Sequence, residues 1–183
     1  MIFNALPLAG AFTIDVQPVQ DSRGFFTRTF CEKEFGEHKL VQHFVQANHS
    51  GTTGKGVIRG MHFQYPPYGE TKLVKCVQGA IFDVIVDVRA GSPTFLQWYG
   101  AELTSENKLM MYVPVGFAHG FQSLTDHSEI TYMVSNFYNR ESEGGIKYND
   151  EKVKIKWPLP VSLVSDKDQA IPPVDPGFKG VIL

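Results

Sequence analysis

Cysteine is scarce in this chain. Cys31 and Cys76 are the only two, far apart and at no spacing that suits a zinc site or a redox pair, which makes a reduced, cytoplasmic compartment the expectation. No apolar run approaches the roughly 20 residues a membrane span needs, and Met1 to Gly10 carry no positive charge, so neither a membrane anchor nor a signal peptide is expected. There is no basic run and no acidic tail, and the net charge is -2. That balance excludes the usual electrostatic footprint of a nucleic-acid binder. Helical periodicity is also rare. Cys31 to Leu40 and Ser165 to Ala170 are the two stretches that suggest short helices. No Walker loop and no dinucleotide-binding glycine fingerprint follows a strand. Gly51-Thr-Thr-Gly-Lys-Gly56 resembles a phosphate loop only superficially, lacks the Ser or Thr after its lysine, and reads as a β-turn. No second histidine stands near His62 or near His119, so a multi-histidine metal site is not expected.

What the chain has in quantity is strand chemistry. Aromatic residues make up 13%, 14 of them Phe, and 43% of residues are hydrophobic. Ala80-Ile-Phe-Asp-Val-Ile-Val-Asp-Val88 is dense in β-branched residues and runs into the turn Ala90-Gly-Ser-Pro93. Strands are expected at Val57 to Gln64, Thr71 to Gln78, Leu96 to Glu102, Lys108 to Val113, Gly120 to Ser123 and Glu129 to Ser135, separated by turn chemistry such as Thr104-Ser-Glu-Asn107 and Pro114-Val-Gly116. Short strands at such intervals predict an all-β sandwich or barrel. The length suits one domain spanning 1–183, and the proline-rich part after Trp157 is expected to wrap over the body.

Strand alternation assigns faces. Tyr132 falls with Ile130 and Val134 on an apolar, inward face, and Lys72 falls with Val74 and Cys76. His62 shares a face with Ile58 and Gln64, whereas Arg59 points away from it unless a bulge at Gly60 brings the two together. A histidine that accepts a proton near neutrality, a tyrosine that donates one, and a cation beside a developing enolate oxygen together suit proton abstraction next to a carbonyl. Each residue also has a plainer reading. His62 could be a packed strand histidine, Tyr132 a core aromatic, Lys72 a strand-end surface lysine and His119 a turn histidine, and the residues alone leave these open. His38, His43, His49 and His127 lie in polar surroundings and are read as ordinary surface histidines.

Seven segments then form a pattern. They are Asp21-Ser-Arg23-Gly-Phe-Phe26, Gln46-Ala-Asn48, Val57-Ile-Arg59-Gly-Met-His62-Phe-Gln64, Lys72-Leu-Val, Phe82-Asp-Val-Ile-Val-Asp-Val-Arg89, Pro114-Val-Gly-Phe-Ala-His119-Gly-Phe and Ser165-Asp-Lys167-Asp168. In this order they resemble the dTDP-4-dehydrorhamnose 3,5-epimerase family over nearly the whole chain. The resemblance implies a cupin-type jelly roll that works as a homodimer without metal or cofactor. It implies an isomerase whose substrate is a nucleoside-diphosphate 4-ketosugar, converting dTDP-4-dehydro-6-deoxy-D-glucose to dTDP-4-dehydro-L-rhamnose in dTDP-L-rhamnose biosynthesis. By that resemblance His62 removes the proton, Asp168 orients His62, Lys72 holds the enolate oxygen, and Tyr132 returns a proton from the opposite face. Arg23 and Arg59 meet the diphosphate, Gln46 and Asn48 contact the nucleotide, and His119 lines the sugar pocket. Tyr138 stacks on the base, and Glu143 and Lys167 complete the nucleotide site.

One position departs from the family pattern. An acidic residue commonly stands two places after the second phenylalanine of Arg-Gly-Phe-Phe, and here Arg28 occupies it, a cation that could meet a phosphate. The departure bears on which nucleotide sugar is bound, not on the reaction class. A C3- or C5-epimerase acting on another nucleotide, for example a CDP 4-keto-deoxysugar, is the alternative within the enzyme class. A silent sugar-nucleotide-binding cupin is the alternative outside it, and the presence of both His62 and Tyr132 argues against that reading.

Overall fold

The structure is a computed structural model describing residues 1–183. In chain order the N-terminal half contains β1 (Ile2–Ala5), β2 (Phe12–Asp15), β3 (Val19–Asp21), β4 (Gly24–Phe26), α1 (Glu32–Glu37), β5 (Gln46–Thr53), β6 (Val57–Gln64), β7 (Lys72–Gln78) and β8 (Ala80–Asp87). The remainder contains β9 (Trp98–Thr104), β10 (Met110–Val113), β11 (Phe117–Ser123), β12 (His127–Val134), a 3₁₀ turn at Arg140–Ser142, β13 (Glu143–Gly145), β14 (Leu163–Val164) and α2 (Asp166–Gln169). One sheet runs β1-β2-β10-β7-β12-β5. The other runs β13-β6-β11-β8-β9, with β14 added parallel to β6. No helix is long and apolar enough to cross a membrane.

Side-chain alternation explains why these two sheets stack. Val74 and Cys76 of β7, Met111 and Val113 of β10, and Ile130 of β12 meet Ile81 and Ile85 of β8, Leu103 of β9, and Phe117 and Phe121 of β11 in one buried cluster. The intervening residues face outward but are covered too. Val84, Val86 and Ala118 pack with Met61, Phe63 and the C-terminal residues Val174 and Val181. Leu73, Met110 and Tyr112 pack under Phe35 of α1. The dense Ile/Val run of β8 is therefore buried on both faces, the pattern expected of a central strand covered on both sides. The all-β sandwich with a few short helices is the architecture anticipated from strand spacing. The C-terminal part wraps as expected: Val181 donates its N–H to Val88 O at 2.6 Å and bridges Arg89.

The boundaries differ from expectation for identifiable reasons. β9 starts at Trp98 instead of Leu96 because Leu96 has φ +61°, and β10 starts at Met110 because Lys108 has φ +54° and still belongs to the turn. β11 begins at Phe117, earlier than expected, since the turn ends at Gly116 (φ +81°). The helix at Cys31 to Leu40 shrinks to Glu32–Glu37, with Lys39 at φ +59° beyond it. Gly51 to Gly56 is only half a turn: Gly51 to Thr53 continue β5, paired with His127 to Glu129 of β12. Cross-strand pairing there overrides the low strand preference of glycine.

A bulge in β6 is the local feature that matters most. His62 pairs with His119 and Arg59 pairs with Phe121, so three residue steps on β6 match two on β11. The extra residue falls at Gly60, whose φ is +118°, and the bulge considered from sequence is present. A Cβ on Gly60 would lie 2.6 Å from Gly120 Cα and 2.8 Å from His119 O, both rigid backbone. Gly60→Ala should therefore cost about 2 kcal/mol or more in urea unfolding. Gly24→Ala on β4, also at positive φ (+130°) but facing open space, should cost only about 1 kcal/mol. Equal losses would show that close approach to β11 is not what Gly60 serves.

Candidate active site

With the bulge in place, Arg59 and His62 both line one cavity of about 620 Å³ between the sheets, together with His119 of β11. From the other sheet come Lys72 of β7 and Tyr132 of β12, and from the C-terminal segment Lys167 and Asp168 of α2. Lys72 lies opposite Val134 and Tyr132 opposite Val74, so the two are diagonal neighbours on the inward face. Lys72 is only 8% exposed, which rules out the surface-lysine reading. A second compartment of about 330 Å³ adjoins the first, sharing His62, Lys72 and Tyr132, and adds Gln46, Asn48, Glu70, Tyr138 and Glu143.

The His62 ring is held by a residue 106 positions away. Its Nε2 lies 2.7 Å from Asp168 Oδ1, while Asp168 Oδ2 accepts the Gly60 N–H at 3.1 Å. The delivery of Asp168 is a capping event. β14 docks on Val57 and Ile58, Ser165 adopts an extended N-cap conformation, and its hydroxyl accepts the Asp168 N–H at 3.2 Å to start α2. Burial by itself would raise the Asp168 carboxyl, but hydrogen bonds from His62 and from the Gly60 N–H outweigh it and hold the group below the ordinary carboxylate range. With Nε2–H donating to this carboxylate, the second ring nitrogen keeps its lone pair and can accept a proton.

The other polar groups are similarly arranged. His119 Nε2 lies 2.8 Å from Oδ1 of Asp83, which is fully buried, and Asp83 Oδ2 has no partner. Arg59 is steadied by Ser50 Oγ at 2.9 Å and Gly51 O at 3.2 Å. Tyr138 donates its hydroxyl to Glu143 at 3.1 Å, and Lys167 Nζ meets the same carboxylate at 2.6 and 2.8 Å. Burial tends to raise the Glu143 carboxyl, yet Lys167 brings it below its ordinary value. The Tyr132 phenol moves upward, chiefly through burial and then through the negative charge of Glu70, with Arg59 opposing. No group of three or more His, Cys, Asp or Glu side chains converges in a way that could hold a metal ion.

Eleven of the thirteen residues singled out from sequence thus line one or other compartment. Arg23 and Arg28 line neither. Arg23 sits in the exposed β3–β4 hairpin, bonded to Asp21 at 2.6 Å, and Arg28 pairs with Glu34 at 3.2 Å. Sequence reasoning missed Asp83, Glu70 and Ser50. For Asp83 a signal existed, since a carboxylate at an inward position of an apolar strand is rarely left without a partner.

The profile of the dTDP-4-dehydrorhamnose 3,5-epimerase family matches residues 5–175. This chain belongs to that family. A relative from Shigella flexneri bearing that name is 49% identical over 150 residues, covering 81% of this chain and 82% of its own. The crystal structure of the dTDP-4-dehydrorhamnose 3,5-epimerase from Elizabethkingia anophelis superposes with a TM-score of 0.91 at 43% identity, covering 95% of this chain and 96% of that one. The Bacillus anthracis enzyme, solved with TDP and PPi bound, gives 0.91 at 39% identity over 94% and 99%. The fold is accordingly the cupin-like β fold of this epimerase family, and the enzyme class is isomerase.

The dyad makes a pH-dependent contribution to stability. The Asp168 value in the folded protein lies below its unfolded value near 3.9, so its contribution is complete above that pH and is lost as pH falls through the folded value. Asp168→Asn should lower stability by about 1–3 kcal/mol at pH 7, and the gap to wild type should close on acidification below pH 4. A gap independent of pH would mean that the carboxylate charge is not what stabilises the pair.

Proposed function

We propose that this chain inverts C3 and C5 of dTDP-4-dehydro-6-deoxy-D-glucose to give dTDP-4-dehydro-L-rhamnose, by deprotonation and reprotonation next to the C4 ketone. The observation that carries this reading is the placement of His62 on one sheet and of Tyr132 and Lys72 on the other, around one shared cavity. His62 takes the proton from carbon, and Asp168 stabilises the imidazolium that forms. The bonding pair moves toward C4, and the C4 oxygen gains the charge that the Lys72 ammonium meets. Tyr132 then delivers its phenolic proton to the opposite face of the same carbon, which inverts the centre. Exchange with solvent restores phenol and imidazole between turnovers.

The binding roles follow the same division. Arg59 and Lys167 supply positive charge for the diphosphate, and His119, steadied by Asp83, contacts the sugar. Gln46, Asn48, Tyr138 and Glu143 hold the nucleoside. Arg23 reaches a substrate only from outside its own chain, and this supports a homodimer. A two-stranded hairpin that exposes Val19, Phe25 and Phe26 is not self-supporting in water. A second copy would cover the hairpin and receive Arg23 at its diphosphate. Arg28, engaged by Glu34, serves the root of that hairpin and not the phosphate.

Incubation with substrate in D₂O and NMR of the product should show deuterium at both C3 and C5. Label at one carbon only would assign a single-site epimerase instead. His62→Ala should reduce turnover by a factor on the order of 10³ while dTDP still binds, and retained turnover would remove His62 as the base. Light scattering should give the mass of two chains. Phe26→Asp should yield monomers whose KM is raised, and an active monomer with unchanged KM would refute the role given to Arg23.

A further inference from the structure

Glu70, in the loop before β7, belongs to the site but has no part in the reaction as described so far. Its carboxylate is 12% exposed and meets Lys72 Nζ with Oε1 at 3.1 Å, the one ion pair that Lys72 makes. Its other oxygen accepts from Gln64 Nε2 at 3.2 Å. Gln64 also donates to Phe137 O at 3.1 Å, and its carbonyl accepts the Asn139 N–H at 2.6 Å, so one amide ties Glu70 to the loop that carries Tyr138. This is a built arrangement, with both carboxylate oxygens committed.

The charges around Tyr132 show what the arrangement does. β6 presents Arg59 and His62, β11 presents His119, and β7 presents Lys72 inward and Lys75 on the outer side. The neighbouring strand β5 places uncharged Asn48 opposite Tyr132. Among the anions, Asp168 is taken up by His62, and Glu143 of β13 by Lys167 of α2; Asp166 also lines the cavity. The cations that suit an enolate also suit a tyrosinate, and a phenol that has ionised no longer donates its proton. A site needing both an ammonium and a phenol needs a counter-charge beside them.

We propose that Glu70 is a positioning residue for epimerisation: it fixes the Lys72 ammonium in the cavity and offsets the positive field around Tyr132, so that Tyr132 works as a proton donor. The inference rests on the roles given above to Lys72 and Tyr132. The upward displacement of the Tyr132 phenol, to which Glu70 contributes after burial, agrees with it.

Glu70→Gln keeps the size of the side chain and removes the charge. Tyr132 donates only below its pKa, so losing a negative neighbour should move the alkaline limb of the kcat profile to lower pH by about one unit, with KM changed less than the pH limit. Ultraviolet titration of tyrosinate, taken as the difference between Glu70→Gln and Glu70→Gln/Tyr132→Phe, should show the same displacement of this one phenol without any turnover. An alkaline limb and a tyrosinate titration that both stay in place in the folded variant overturn the inference. Should Glu70→Gln fail to fold, Glu70→Asp is titrated instead; a smaller shift in the same direction supports the inference and no shift overturns it. Tyr132→Phe is assayed in parallel. Full epimerisation by that variant defeats the functional reading itself, whereas a dead Tyr132→Phe beside an unshifted Glu70→Gln defeats only the role of Glu70.

Discussion

Both oxygens of Asp168 are spent on β6, one on the His62 ring and one on the Gly60 N–H. The second bond answers a need created by the bulge, which leaves that N–H buried with no strand partner, and an unpaired buried amide is costly. The first bond sets the ring. One carboxylate therefore satisfies the distortion that brings Arg59 and His62 to the same cavity and orients the group that the distortion exposes. It arrives on a short helix that Ser165 caps and that β14 docks in parallel beside Val57 and Ile58. The C-terminal wrap, the bulge and the His62 ring are one unit, and removing any of them disturbs the other two.

The sandwich architecture supplies what inversion chemistry asks of a protein. Two groups must address a carbon from opposite sides, and two facing sheets provide opposite sides without any loop having to close. His62 and His119 are cross-strand neighbours on one wall, and Lys72 and Tyr132 are diagonal neighbours on the other. All four stand on core strands, His62 and His119 beside the bulge that aims them, so their positions are inherited from the core and not from flexible segments.

Alternation along β7 and β12 was enough to point Lys72 and Tyr132 inward, because Lys72–Cys76 and Ile130–Val134 pair in continuous register and the shift in this ladder falls beyond them, at Glu129. The same rule separated Arg59 from His62, and only the extra residue at Gly60 reconciles them; a glycine permits a bulge but does not dictate one. The strand β5 was illegible because Gln46-Ala-Asn48-His-Ser50-Gly has little strand preference of its own. Its extension is imposed by pairing with β12. Asp168 and Tyr138 came from resemblance alone: the Asp168 contact with His62 spans 106 positions, and Tyr138 lies outside any strand, where alternation assigns no face. Glu70 escaped because a carboxylate in the loop before a strand reads as a solvated charge until its partner is located in space, whereas the inward position of Asp83 on β8 was a signal left unused.

The contact between Gly60 and Gly120 has a consequence for how such a cavity diversifies. Where β6 and β11 cross, backbone meets backbone, and an added methyl on either glycine would lie 2.6 Å from main-chain atoms of the other strand. At that contact there is no side chain to exchange, so its contour is fixed as long as both glycines are kept. Substrate range in this scaffold must be written on the rim instead, where Ser50, Tyr138 and Lys167 project from edge strands, loops and the C-terminal helix. The reacting centre is thus rigid by construction and the recognition surface is editable, which lets one chemistry be kept while the sugar nucleotide it serves is changed.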